Sequence, residues 1–274
     1  MKYLFLVMMG LMLVNPVFSQ ENQSHFEKLF PILTAPVKGK EITPKTTQEL
    51  ENLFSSDKKT LPRIFVKKLP DDFKEKGNKE LFSKVIAALV LRENEQILSE
   101  KVLFNTLKQK FEQGKTWTSE EAKYFDYLVK KYDATVLKTI PTKINDLIYK
   151  IDEIPLSVAV AQAAQRTDWG KENLDSPYAQ KGWKGSKHYD FINYPDLYTA
   201  TTAYVNEMNA TPNYDDWRYL RMGRANKDYP QYAVKIAQTL GVYLPDDVFY
   251  TDKLQKLLKK NSFLFRYDNL MFDD

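Results

Sequence analysis

Apolar residues recur at three- and four-residue spacing along most of this chain, and this periodicity limits the possible folds more than any other feature. The longest run contains Leu81, Phe82, Val85 and Ile86 and continues to Leu98. Such spacing places apolar side chains on one face of an α-helix, whereas the two-residue alternation of half-buried strands is scarce. The sequence therefore predicts a mainly α fold.

Capping residues mark where several of these helices begin. Thr118 and Glu121 form a capping-box pair that predicts a helix start, and Thr142 is expected to cap the next helix. An Ala-rich segment after Pro155 predicts a helix that ends at about 166 or 167. Between 177 and 195, glycine, lysine and aromatic residues predict a loop or a small hairpin. Further helices are expected at 197–208, 212–222, 230–240 and 252–260.

The first residues predict export. Lys2 precedes an apolar run at 3–14, and Val17 and Ser19 follow it, which is the layout of a secretory signal peptide. The run is shorter than the roughly 20 apolar residues of a membrane-spanning helix, and no later segment comes closer. We therefore expect a signal peptide at 1–19, a mature chain without a membrane span that begins near Gln20, and a periplasmic or secreted location. An uncleaved N-terminal anchor is the alternative.

The composition excludes several classes of protein. The chain has no cysteine, so disulfides and thiol chemistry are ruled out. His25 and His188 are the only histidines and neither lies in a His-Glu-x-x-His motif, so no metal site and no cofactor are expected. With 40 basic and 36 acidic residues, the net charge of +4 is too balanced to predict nucleic-acid binding.

The chemistry that remains open is that of carboxylates and aromatic rings. A glycosidase needs a protonated carboxylic acid whose pKa is raised by a partly apolar cleft, with a second carboxylate, a water or a substrate group as its partner. Aromatic rings commonly line such clefts, and the chain has 17 Tyr and 4 Trp. Most aromatic residues of a helical protein belong to the core, however. Core packing is the expectation for Trp169, Tyr204, Tyr214, Trp217 and Tyr219.

Residues 154–170, with the sequence IPLSVAVAQAAQRTDWG, resemble the helix that carries the active site in bacterial Bax-type proteins. These proteins are similar to flagellar and autolytic N-acetylglucosaminidases that cut the glycan strands of peptidoglycan. Three further stretches are similar in order and spacing: LPRIF, LPDDFK and LRENEQIL within 61–98; YDF, NATPNY and LR within 189–221; and YAVKI at 232–236. The resemblance spans residues 60–242.

The resemblance implies a lysozyme-like α+β glucosaminidase domain at 141–245, with a small hairpin or irregular lobe. A helical N-terminal extension at 63–140 would precede this domain, and a C-terminal helix and tail at 246–274 would follow it. Residues 20–62 are polar and punctuated by Pro36, Gly39 and Pro44. This part is interpreted as a linker with at most a short helix near 48–54.

The chain departs from the family at the active site. The family's catalytic glutamate corresponds to Arg166, and arginine cannot act as a general acid because it does not release its proton in a protein. The family's Asn-aromatic-Gly turn corresponds to 176–180, where only Tyr178 and Gln180 agree. Ala225 occupies the place of a family tyrosine, for which Tyr229 is close enough to substitute. The resemblance thus implies a degenerate domain that binds peptidoglycan glycan strands.

Two interpretations of Arg166 stay open. It could be a simple cation at the C-terminal end of a helix, where the helix dipole favours positive charge. It could also be a fixed charge in a glycan groove that holds a muramic lactyl group or a stem-peptide carboxylate. The loop at 181–189 mixes cations with aromatic rings, and it could likewise hold an anionic strand or simply be solvated. The predicted substrate-binding residues are Arg166, Tyr178, Gln180, Trp183 and Tyr229.

A relocated acid is the alternative to inactivity. The candidates are Asp168, Glu172 and Asp175, each of which could instead be a cap or a surface charge. On a continuing helix, Asp168 would point about 200° away from the position of Arg166, an objection that weakens if the helix has ended. An active endo-β-N-acetylglucosaminidase that uses one of these carboxylates is the first alternative function. A protein-binding scaffold that has kept the fold and lost the sugar is the second.

Overall fold

The computed structural model describes residues 37–55, 60–184, 188–223 and 229–273, and the predicted signal peptide at 1–19 lies outside these ranges. Within them the chain is mainly helical, which confirms the prediction from periodicity. The α-helices of the described ranges are α1 (Thr47–Leu53), α2 (Phe73–Lys76), α3 (Lys79–Glu112), α4 (Ser119–Lys131), α5 (Ile140–Lys150), α6 (Leu156–Thr167), α7 (Leu197–Ala210), α8 (Asp215–Met222), α9 (Tyr229–Ala237) and α10 (Tyr250–Lys260). Short 3₁₀ segments cover Pro212–Tyr214, Gln238–Val242 and Ser262–Asn269.

Six short strands form three two-stranded sheets in the described ranges. The strands are β1 (Lys40–Ile42), β2 (Thr60–Leu61), β3 (Ile64–Val66), β4 (Lys181–Lys184), β5 (His188–Phe191) and β6 (Met271–Phe272). Strand β1 pairs with β3 and β2 with β6, both in parallel. Strands β4 and β5 are antiparallel, with Lys181 opposite Phe191, so the segment expected to be a loop or a small hairpin is a hairpin.

Helix α6 lies at the centre of the molecule. Every residue from Leu156 to Ala164 is buried, and six of these nine residues are Ala or Val. A helix that is apolar all round can be stable only when it is covered on all sides. Here α3, α10 and the 3₁₀ segment Ser262–Asn269 surround it. The small side chains let these neighbours approach closely, so the helix end that carries Arg166 has a fixed position.

Helix α3 has 34 residues and is the longest in the described chain. It begins at Asn78, whose side chain accepts a hydrogen bond of 2.9 Å from the backbone N–H of Leu81. Its first half carries the predicted apolar stripe, with Leu81, Phe82, Val85 and Ile86 buried.

Among the described residues, no helix combines the length and the apolar character needed to cross a bilayer.

The N-terminus of α6 is capped from far along the chain. The carboxylate of Asp268 accepts hydrogen bonds from the backbone N–H and the hydroxyl of Ser157, at 2.8 and 2.5 Å. These two residues are 111 positions apart. The acceptor satisfies a backbone donor that the first helical turn leaves without a partner, and its negative charge opposes the helix dipole. The C-terminal segment is therefore part of the fold around α6.

Residues 37–55 and 60–62 do not form a linker, so that interpretation is corrected for the part of 20–62 that is described. Leu50 and Phe54 are buried, and Thr47 donates to Asp72 through both its backbone N–H and its hydroxyl. Leu50 and Phe54 are four residues apart, and this single apolar stripe buries α1 although the surrounding sequence is polar. The expected short helix near 48–54 is α1, at Thr47–Leu53.

The proposed extension, central domain and tail share one core. A single cluster of buried apolar residues includes Leu81 from the first, Val158 from the second and Leu264 from the third. Strand β6 near the C-terminus also pairs with β2. The boundaries expected at 62, 140 and 245 therefore do not separate independent cores.

Two local predictions are wrong. Thr139, not Thr142, caps α5: its hydroxyl accepts from the backbone N–H of Thr142, which occupies the third helical position. Tyr219 is 68% exposed and stacks on Tyr149, whereas the other aromatic residues predicted in the core are buried. The capping box at Thr118 and Glu121 is confirmed.

We expect Asp268→Ala to lower the free energy of unfolding by about 1–2 kcal/mol, because Ser157 would keep two buried donors without an acceptor. Chemical denaturation of the two proteins measures the difference. Asp126→Ala is the matched control, since Asp126 is an exposed carboxylate on α4 and its loss should change stability by less than about 0.5 kcal/mol. Equal effects of the two substitutions would contradict a capping role for Asp268.

Candidate functional site

A cleft of about 260 Å³ opens beside the C-terminal end of α6. Helix α6 contributes Gln162, Gln165 and Arg166 to its lining. The loop after α6 contributes four residues between 172 and 179, and the stretch 244–253 contributes four more. The cleft therefore combines the segment singled out by sequence with a part of the chain more than seventy residues away.

The backbone at the end of α6 is left-handed, and the loop that follows it forms part of the cleft wall. Asp168, Trp169 and Gly170 have φ values of 43°, 61° and 92°, which stops the helix and turns the loop. A Cβ at position 170 would lie 2.7 Å from the ring of Phe82, so glycine is needed there. Trp169 packs edge-on against Phe82, which confirms its expected place in the core.

Arg166 lies in the cleft, half-buried, with its guanidinium carbon 4.1 Å from the centre of the Phe191 ring on β5. This cation–π contact joins the end of α6 to the hairpin. Its Nε atom is buried and has no hydrogen-bond partner, and among the described residues no carboxylate pairs with its guanidinium. The buried Oε1 of Gln165 also has no partner. The cleft thus contains an unneutralised cation and an unused amide oxygen.

The inner wall of the cleft is a network of buried hydroxyl and amide groups. Tyr204 donates to Oε1 of Gln162 at 2.6 Å, and the amide of Gln162 donates to the hydroxyl of Tyr250 at 2.8 Å. Tyr178 stacks on Tyr204 with ring centres 4.1 Å apart. Burial raises the pKa of the Tyr250 hydroxyl, so this group stays protonated at neutral pH. The wall is therefore rigid and neutral, with aromatic faces behind polar groups.

The three candidate acids lie in different surroundings, and only one of them reaches the cleft. Asp168 caps α6 in the left-handed region, is exposed and pairs with Lys171 at 3.2 Å. Asp175 is exposed and does not line the cleft. Glu172 does line it, although its side chain is exposed. The helix has ended at Asp168, so the angular objection to this residue falls away, but its exposure leaves it without the desolvation that a general acid uses.

The predicted binding residues are only partly brought together. Arg166 and Tyr178 line the cleft. Gln180 is buried and does not line it, because its amide donates to the carboxylate of Glu207 at 2.6 Å. The prediction that Gln180 contacts substrate is therefore corrected. The side chains of Trp183 and Tyr229 lie outside the described part of the chain.

Sequence reasoning missed two carboxylates near the site. Asp247 lines the cleft beside Lys253, which donates to it at 2.7 Å; this hydrogen bond is the largest cause that lowers the pKa of Asp247. Glu207 lies behind the cleft and accepts from Gln180 and from the hydroxyl of Tyr214. Burial raises the pKa of Glu207, and its two donors partly oppose that rise. Glu207 follows buried Tyr204 by three residues, and this helical spacing could have shown that it faces inward.

We expect the contribution of Glu207 to the free energy of unfolding to fall as pH rises above the ordinary glutamate pKa of 4.5. Its folded-state pKa is raised, so in this window the native state binds more protons than the unfolded state, and stability decreases with pH. In Glu207→Gln this contribution is absent. The free energy of unfolding of the wild type minus that of the variant should therefore decrease from pH 4 to pH 7, as followed by urea denaturation.

A second variant tests the cause of this behaviour. Tyr214→Phe removes a hydrogen-bond donor that favours the ionised form of Glu207, so the loss of stability with pH should become steeper. A constant difference between wild type and Glu207→Gln across the range would contradict a raised pKa.

Comparison of the chain with family models, with curated proteins and with solved structures finds no match. A role for the cleft must therefore be argued from its own residues. The feature of most consequence is Arg166, a cation without an acidic partner in the described chain, beside a rigid wall of tyrosine and glutamine side chains.

Proposed function

We propose that this protein is an exported cell-envelope protein whose cleft binds the glycan strands of peptidoglycan. In this proposal it is a degenerate relative of the Bax-type glucosaminidases with a lysozyme-like domain, located in the periplasm or at the outer envelope. The observation that carries the proposal is the position of Arg166. The residue that the resemblance aligns with the catalytic glutamate lines the cleft and forms no ion pair with any side chain that the structure describes.

The lining of the cleft suits a saccharide. A sugar presents hydroxyl groups at its edges and C–H groups on its faces, so it binds where polar side chains and aromatic rings occur together. Gln162, Gln165 and Asn173 contribute amide groups to the lining, and Tyr178 and Tyr250 contribute aromatic rings. The hydroxyl of Tyr250 accepts a hydrogen bond from the amide of Gln162. Ligand sites commonly have this form, with a few fixed polar groups on a largely preformed wall.

The charges of the cleft favour binding over hydrolysis. Glycoside cleavage requires a group that protonates the leaving oxygen, and arginine keeps its proton. Asp247 has a lowered pKa and is ionised beside Lys253, so it does not carry a proton at neutral pH. Glu207 has a raised pKa but is bound to Gln180 and Tyr214 behind the wall. No buried, unengaged acid lines the cleft within the described ranges.

One observation favours the alternative of an active glycosidase. Glu172 lines the cleft on the loop that follows Arg166, so it is the relocated acid to test first. Asp168 and Asp175 are the weaker candidates because neither lines the cleft.

We expect the mature chain, beginning near Gln20, to co-sediment with purified sacculi and to release no new reducing ends from them. Zymography on peptidoglycan gels and mass analysis of the digests measure cleavage directly. Asp168→Asn, Glu172→Gln and Asp175→Asn are assayed in parallel.

Each outcome selects among the three functions. New reducing ends on N-acetylglucosamine, lost in one amide variant, would establish an active enzyme and identify its acid. Intact glycan with retained sacculus binding would support the glycan-binding function. Absence of co-sedimentation together with absence of cleavage would overturn the proposal and favour a protein-binding scaffold.

A further inference from the structure

We infer that Arg166 anchors a carboxylate carried by the bound glycan, and that the cleft therefore selects acidic glycan over neutral glycan. This inference rests on the proposed function and specifies its ligand. Two sources present this chemistry on peptidoglycan: the lactyl carboxylate of muramic acid, which is free only where the stem peptide has been removed, and the carboxylates of the stem peptides themselves.

The helix end does not use the side chain of Arg166 as its cap. The carbonyl oxygen of Ala164 accepts from the backbone of Trp169, and that of Arg166 itself accepts from the side chain of Asn173 at 3.0 Å. The carbonyl oxygen of Thr167 accepts from the backbones of Gly170, Lys171 and Glu172. Backbone and Asn173 donors thus satisfy the last turn, and the guanidinium forms no hydrogen bond with these carbonyls. Arg166 is therefore not a hydrogen-bonding cap of this helix end, and its guanidinium contributes there through its charge alone.

The guanidinium is held in place without being neutralised. The Phe191 ring covers one of its faces, and Lys181 lies 5.5 Å from the same ring while its own charge is paired with Asp246. The Nε atom of Arg166 is shielded from solvent and lacks an acceptor. Leaving a buried charged donor unpaired is unfavourable, so an anion that reaches it would be bound with a charge-assisted hydrogen bond.

The other charges that line the cleft define how selective this site can be. Lys253 and Asp247 neutralise each other at 2.7 Å. Glu172 is the one further lining carboxylate in the described chain, and it is exposed. The arginine fork matches the geometry of a carboxylate, which can accept two parallel N–H bonds from it, whereas a neutral sugar hydroxyl cannot. Glu172 would repel the same ligand. Arg166 should therefore strengthen binding of an acidic glycan, and Glu172 should weaken it.

The test uses three insoluble or high-mass glycans and measures binding by co-sedimentation at low and high salt. They are intact sacculi, glycan strands stripped of their stem peptides by an amidase, and chitin, which has the same N-acetylated β-linked backbone without carboxylates. Arg166→Gln keeps a polar side chain but removes the charge. Arg266→Gln is the matched control, because Arg266 is a half-exposed arginine that pairs with Glu80 and does not line the cleft.

We expect Arg166→Gln to weaken binding to the acidic glycans on the order of 10-fold or more and to make the remaining binding less sensitive to salt. Arg266→Gln should bind like the wild type, and Glu172→Gln should bind more tightly. Denaturation curves of the variants show whether each one remains folded. If Arg166→Gln is unstable, the comparison of wild-type binding to chitin and to acidic glycan, together with the tightening in Glu172→Gln, still tests the inference.

Comparison of the three glycans distinguishes the two sources of the carboxylate, and it distinguishes failure of this inference from failure of the proposed function. Stronger binding to stripped strands than to intact sacculi would identify the lactyl carboxylate, and the reverse would identify the stem peptide; both support the inference. Binding of all three glycans with equal strength, or binding that Arg166→Gln leaves unchanged, would overturn the carboxylate anchor while leaving the proposed glycan binding intact. Binding to none of them would overturn the proposed function itself.

Discussion

The complete burial of the first nine residues of α6 is the constraint on which the rest of this structure depends. Nine consecutive residues, from Leu156 to Ala164, have no exposed face, so neighbours from before and after α6 in the chain must cover it. Arg166 comes two residues after this run, where the helix leaves the core. A long cationic side chain at that point can reach the surface while its backbone stays fixed by the packing behind it. The cleft is thus a consequence of where the buried helix ends.

Local sequence signals were sufficient for the elements that short-range interactions determine. Thr118 caps α4 with its own side chain, as its capping-box pairing with Glu121 predicts, and the apolar spacing of α3 shows which of its faces is buried. Long-range partners escaped the same reasoning. The pairing of β1 with β3 joins residues distant in sequence, so polar composition alone wrongly predicts a linker over the described part of 20–62. The capping of Ser157 by Asp268 is likewise a contact that no local signal predicts. In these cases tertiary packing outweighs local composition.

The candidate site likewise contains some residues that the sequence predicts and others that it does not. Arg166 and Tyr178, which the resemblance assigns to a binding site, both line the cleft. The opposite wall at 244–253 lies beyond the resembling region and carries no motif of its own, so Asp247 and Tyr250 could not be assigned to the site from sequence. Gln180 was assigned to the ligand because a motif gives residue type without direction. Its amide donates a hydrogen bond to Glu207, a contact that the sequence alone does not predict.

The arrangement around α6 also bears on how the chain reaches its folded state. Because Asp268 and the strand β6 contribute contacts to α6 and to β2, the core is complete only when the C-terminal segment is in place. Folding that starts at the N-terminus during synthesis would stall with an apolar helix uncovered, a state in which chaperones bind and aggregation competes. For a chain proposed to cross a membrane before it folds, this delay is an advantage, because the polypeptide stays unfolded until the segment around Asp268 has been synthesised.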